Sequence, residues 1–130
     1  MELDKYKDWK EVISTEEFNS LINELIISQN KFSNSDLIEL LNLLSEKYLL
    51  FYKTCELTMN QKIEINKILI KLTNFSNLII TEDLIGILFN FRLDAYFLFL
   101  REKCNTIKLD EVRNEVINSL SEYGDTPNWS

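Results

Sequence analysis

Apolar residues recur at intervals of three and four along most of this chain, the spacing that places side chains on one face of an α-helix. The first such segment begins after Ser14, which precedes Glu17 by three positions as in a capping box, and it should extend to about residue 29. A second segment begins after Ser33, three positions before Asp36, and its apolar face is wide enough for two neighbouring helices. The pattern therefore predicts two consecutive helices.

The third segment, 59–74, follows Thr58, which precedes Gln61 with the same capping-box spacing. Its apolar residues again fall on a helical face. A strand is the alternative, because four β-branched residues partly alternate with polar ones, namely Ile63, Ile65, Ile68 and Ile70. The leucine-rich neighbours and the scarcity of turn residues favour the helix.

The most apolar part of the chain follows Thr81, which with Glu82 and Asp83 should begin a helix. Residues 84–100 leave almost no polar face, so we expect this stretch to be the most buried. The pattern leaves open whether 81–104 forms one helix or two helices separated near residues 90–94.

The last helix should span about residues 109–123 and end at Gly124, with Pro127 shortly beyond. Its predicted inward side chains are Leu109, Val112, Val116, Leu120 and Tyr123. With one proline and two glycines in 130 residues, the chain offers few sites for hairpin turns. We therefore predict a single all-α domain over residues 1–130, a bundle of about five or six antiparallel helices, with a short helical-repeat array as the alternative.

The composition argues against an enzyme. The chain contains no histidine and two separated cysteines, and it has 21 acidic against 14 basic side chains, a formal charge of −7. Histidine, cysteine pairs and glycine-rich loops supply most acid-base, metal and phosphate sites, and the adjacent acid pairs fall where helices are predicted to begin, a position that favours negative charge. We expect no catalytic residues, no metal ligands and no cofactor.

The same features indicate where the protein resides and which partners it avoids. The charged first ten residues show no signal-peptide core, so we expect a cytoplasmic protein. The apolar run 84–91 is far shorter than the about 20 residues of a membrane span, and the negative charge repels nucleic acid. Cys55 and Cys104 are expected to remain thiols, with a disulfide between them as the alternative.

One charge pattern on the last helix calls for an explanation. Glu111, Glu115 and Glu122 lie at spacings of four and seven, so they share one row with no lysine between them, and like charges four apart destabilise a helix slightly. The row is either a solvated face or a docking face for a basic protein. The second hypothesis includes the tail tryptophan as an anchor, although that residue could instead fold back on the body. The predicted partner-binding residues are Asp110, Glu111, Glu115, Glu122, Asp125 and Trp129.

This short, acidic chain, predicted to be all-helical and without a recognisable set of catalytic or metal-binding residues, resembles the bacterial immunity proteins of polymorphic and contact-dependent growth-inhibition toxin systems. The resemblance is one of type and rests on the length, the acidity and the acidic clusters at 16–24, 82–83 and 110–125. It implies that the chain neutralises a cognate toxin domain, often a basic nuclease, with its acidic rows acting as phosphate mimics. A helical adaptor that binds a partner in a groove between helices, without a toxin, is the alternative. The oligomeric state is not predicted.

Overall fold

The computed structural model describes residues 14–51 and 56–123, and six α-helices account for most of them. The helices are α1 (Thr15–Ser28), α2 (Asn34–Phe51), α3 (Met59–Leu72), α4 (Leu78–Phe91), α5 (Asp94–Lys103) and α6 (Asp110–Ser121). Short 3-10 turns follow α1 and α5, at Gln29–Lys31 and Cys104–Thr106. No strand occurs within the described ranges. The predicted all-α class is confirmed, and α3 is a helix.

Three helices begin where their capping residues predict. The Ser14 and Ser33 hydroxyls each accept a hydrogen bond, at 3.1 Å, from the backbone N–H three residues along the chain. At α3, Thr58 Oγ1 accepts from the N–H of Gln61, and Gln61 Oε1 accepts from the N–H of Thr58 in return, at 3.1 and 2.9 Å. These side chains satisfy backbone donors that have no partner inside the helix.

The predicted start of the central helix at Thr81 is wrong. α4 begins three residues earlier, because the Oδ1 of Asn77 caps it by accepting the N–H of Ile80 at 3.0 Å. Thr81 lies inside the helix, where its hydroxyl donates to the Asn77 carbonyl at 2.9 Å. Glu82 and Asp83 therefore lie beyond the first turn, and α4 has no acidic residue in that turn.

The apolar stretch that follows forms two helices. α4 ends at Phe91, and Arg92 takes a left-handed conformation with φ of 61°. The N–H of Leu93 donates to the Leu88 carbonyl at 3.1 Å, the bond that closes a Schellman motif. Because Leu93 is fully buried, its side chain anchors the chain reversal in the core.

α5 is capped by a neighbouring helix. Its own N-cap residue, Leu93, provides no side-chain hydrogen bond. Instead the Oδ1 of Asn66, a buried residue of α3, accepts the N–H of Tyr96 at 2.9 Å, while the Asn66 amide donates to the Lys62 carbonyl at 2.8 Å. The start of α5 is thus fixed to the middle of α3.

A second buried amide joins α3 to α1. The Nε2 of Gln61 donates to the Oδ1 atoms of Asn19 and Asn23, at 2.5 and 3.0 Å, in addition to its role in the capping box. Gln61 is 4% exposed, so these partners supply the hydrogen bonds that water would otherwise make.

The helices pack in two rows. α1, α3 and α5 lie side by side in one row, and α2, α4 and α6 lie side by side in the other. Contacts between α1 and α2 and between α5 and α6 join the rows at both ends. This alternation along the chain is the order expected for stacked helical hairpins, the repeat-like form of the predicted bundle.

Aromatic and aliphatic side chains fill the space between the rows. The rings of Phe18, Tyr48 and Phe91 form a continuous series, with centroids 5.8 and 5.5 Å apart, that connects α1, α2 and α4. Much of the stretch 84–100 is buried as predicted, although Phe89 is only half-buried. The predicted inward orientation of Leu109 is wrong, because this residue is the N-cap of α6 and is 42% exposed.

Within the described ranges, no helix combines the length and apolar character that crossing a bilayer requires. Cys104 is a free thiol, half-buried after α5, whose Sγ donates to the Arg101 carbonyl at 3.2 Å. Cys55 lies outside the described residues.

Tyr96 is the described group whose ionisation the fold changes most. Its side chain is 1% exposed, and its hydroxyl shares a 2.8 Å hydrogen bond with Thr73 Oγ1. Burial disfavours the phenolate and raises the pKa of Tyr96 to about 12, although the hydrogen bond with Thr73 partly opposes this effect.

Stability should therefore fall in alkali. Above pH 10 an unfolded Tyr96 loses its proton while the folded one retains it until about pH 12, so deprotonation favours unfolding in that window. We expect the free energy of unfolding to decrease by about 1.4 kcal/mol between about pH 9 and about pH 11 through this residue. Urea denaturation at both pH values should show a smaller decrease for Tyr96→Phe. Equal decreases for the two proteins would refute this assignment.

Candidate functional site

The predicted acidic residues lie along α6, which is the last helix in the row formed by α2, α4 and α6. Val112, Val116 and Leu120 are buried, and α6 packs against α4 and α5. The predicted glutamates lie on the rest of the helix surface. Glu111 and Glu122 are exposed and Glu115 is half-buried. The helix thus presents to solvent the side chains that its sequence spacing places together.

Arg113, the cationic side chain of α6, binds groups at the start of the helix. The Arg113 guanidinium forms an ion pair with Asp110 and also donates to the Ile107 carbonyl at 2.9 Å. Asp110 and Glu111 occupy the first turn, where negative charge complements the exposed N–H groups. Asp110 therefore has a structural role at this position, which distinguishes it from the glutamates farther along the helix.

The three glutamates have no such partner. Among the residues that the structure describes, none of the carboxylates of Glu111, Glu115 and Glu122 takes part in an ion pair or a side-chain hydrogen bond. Glu111 and Glu115 lie four residues apart and no described cation pairs with either, so a cation brought by another molecule would relieve their repulsion.

The end of α6 is held by aromatic packing. The ring of Tyr123 stacks on Phe89 with centroids 5.1 Å apart and meets Phe97 edge to face at 6.1 Å. Because Glu122 immediately precedes this anchored residue, the position of its backbone is defined by the core. The end of the row next to Tyr123 therefore lies on backbone that is held by the core.

Two predicted site residues, Asp125 and Trp129, lie outside the described residues, as do Gly124 and Pro127. The proposed acidic rim and hydrophobic anchor of the tail stay predictions.

The structure also contains a groove that no local pattern in the sequence indicates. It lies between α2, the end of α3 and the start of α4, with a volume of about 760 Å³, within the range of ligand sites. Apolar and charged side chains line it together, among them Ile38, Leu72, Ile79, Glu39, Lys71 and Asp83. Ile79 is 70% exposed although it is aliphatic. Its position four residues before Asp83 is visible in the sequence, but the predicted helix began after it.

The described residues contain no group of three or more acidic or cysteine side chains placed to hold a metal ion. Comparison with protein-family models, with curated proteins and with solved structures found no match for this chain.

Proposed function

We propose that this protein is an immunity protein that binds a basic toxin domain through the α6 face formed by Glu111, Glu115 and Glu122. The observation that carries the proposal is the presence of three glutamates in one row on a rigid helix, none of them paired with a cation among the described residues. The resemblance of the whole chain to immunity proteins indicates that the partner of this face is a toxin domain.

Electrostatics supports an acidic protein in this role. Its formal charge of −7 attracts a basic domain over several ångströms and speeds their encounter. Nucleases bind phosphates through lysine and arginine side chains, so a row of carboxylates can occupy the same positions. Binding at these positions would exclude the nucleic acid from the toxin.

The charged row alone does not set the lifetime of such a complex. Slow dissociation requires a few apolar contacts that are fully buried at the interface. On α6 itself, Ile117 is 38% exposed, but helical spacing places it about 140° around the axis from the glutamate row, and Leu109, which is 42% exposed, is the N-cap residue. The apolar contacts of such a complex would therefore have to come from another part of the chain.

The test is co-expression with the protein encoded by the neighbouring gene. We expect that gene to encode a toxin domain that kills cells when expressed alone, and we expect co-expression of the present chain to restore growth. The two proteins should also co-purify at low salt. A neighbouring product that is harmless, or that still kills cells in the presence of this chain, would contradict the proposal.

The groove favours a second candidate function, a helical adaptor. A concave site with apolar and polar lining is the usual form of a peptide-binding groove between helices. In this case the acidic surface would serve only to keep the protein in solution, and binding would depend on the groove and not on α6.

A further inference from the structure

The walls of the groove combine aliphatic surface with acidic charge. Ile38 and Glu39 from α2 face Ile79 and Asp83 from α4, and Leu72 at the end of α3 contributes to the lining. Ile79 and Asp83 are four residues apart, so they lie one turn from each other on the same side of α4. An apolar contact and a carboxylate are therefore adjacent on one wall.

The groove has an acidic balance. Two carboxylates and one ammonium group line it, and the Nζ of Lys71 donates to the Oδ1 of Asn30, on the 3-10 turn after α1, at 3.4 Å. Asp83 forms no ion pair or side-chain hydrogen bond with any described residue. The Asp83 carboxylate is therefore available to an incoming cation, and the acidic balance of the lining favours a cationic over an anionic ligand.

We propose that this groove binds a segment of a protein partner in which an aliphatic side chain is flanked by lysine or arginine. The aliphatic group covers Ile79, which is otherwise 70% exposed, and the cation pairs with Asp83. The mixed lining matches both parts of such a segment, and this match distinguishes it from a purely apolar or anionic ligand. This inference rests on the adaptor function, and it is independent of the α6 row.

The test uses two blocked peptides, acetyl-Lys-Leu-Leu-Lys-amide and its acidic counterpart acetyl-Glu-Leu-Leu-Glu-amide. Backbone amide signals of the full chain are followed by NMR during titration. We expect the basic peptide to shift signals of the groove residues, with millimolar affinity, and the acidic peptide to leave them unchanged. Asp83→Asn and Ile79→Ser should each weaken the binding about fivefold, and Glu102→Gln, on an exposed site of α5, should not.

Four results would overturn the proposal. Equal shifts with both peptides would indicate an apolar site without charge selection. Wild-type affinity of the Asp83→Asn variant for the basic peptide would show that no ion pair with Asp83 contributes to binding. Shifts confined to α6 would show that the basic peptide prefers the glutamate row, which would leave the toxin-binding proposal standing. Groove shifts that depend on protein concentration in the absence of peptide would show that a second copy of the chain is the occupant.

Discussion

Replacement of Phe91 by alanine should reduce the free energy of unfolding by about 3–5 kcal/mol, the usual cost of a large cavity in a packed core. Phe91 is fully buried, and its ring packs against Tyr48, which in turn stacks on Phe18. The side chain therefore joins α4 to α2 and, through Tyr48, to α1. A loss of this size is a large share of the stability of a small domain.

Urea denaturation monitored by circular dichroism measures this loss. Leu98→Ala is the matched control, because Leu98 is 47% exposed on α5 and its truncation should change the stability by no more than about 0.5 kcal/mol. Phe89→Ala should lie between the two, since the half-buried Phe89 ring contacts Tyr123. Equal losses for Phe91→Ala and Leu98→Ala would show that the core is packed differently.

The features of the fold that the sequence predicted well are local ones. The capping box of Thr58 and Gln61 and the helix starts at Ser14 and Ser33 depend on residues three positions apart, so their spacing is visible in the chain. The start of α4 was missed because Asn77 and Thr81 are both good caps. Only the structure shows which of the two side chains the helix uses.

Features that depend on distant residues were not predictable in this way. The break after α4 occurs at Arg92, where a left-handed residue is usually glycine, so the sequence lacks the expected signal. The cap of α5 comes from Asn66, thirty positions before Tyr96. No local pattern reveals such a bond, because it forms only when the two helices pack together.

The two candidate sites differ in the same respect. The row of Glu111, Glu115 and Glu122 runs along α6 to its C-cap residue, so helical periodicity alone predicts it. The groove is formed by three helices and brings Glu39 and Asp83 together from positions far apart in the chain. The groove exists only because the helices pack in two rows, and a local sequence pattern does not reveal that packing.

Reversal of the α6 charges should strongly slow the encounter with a basic toxin domain. In the triple variant Glu111→Lys, Glu115→Lys and Glu122→Lys, attraction at the docking face becomes repulsion, and we expect the association rate constant to fall at least about tenfold at low salt. Because these side chains lie outside the core, the far-UV spectrum should stay helical.

A matched control separates this face from the overall charge. Glu16, Glu46 and Glu102 are exposed residues on α1, α2 and α5, and their replacement by lysine changes the net charge by the same amount. If net charge alone steers the encounter, the two triple variants should associate equally slowly. If the α6 row is the docking face, the control should retain a rate closer to that of the native protein.

The most direct test of the central claim is the association rate constant with the purified toxin domain, measured by stopped-flow fluorescence over a range of ionic strength. The proposed site predicts a steep decrease with salt for the native protein and the scattered control, because screening lengths shorten to about 10 Å at 0.1 M. It predicts a slow rate with a weak or inverted salt dependence for the α6 variant. Association of the α6 variant at the native rate, with the native salt dependence, would contradict the claim that Glu111, Glu115 and Glu122 form the docking face.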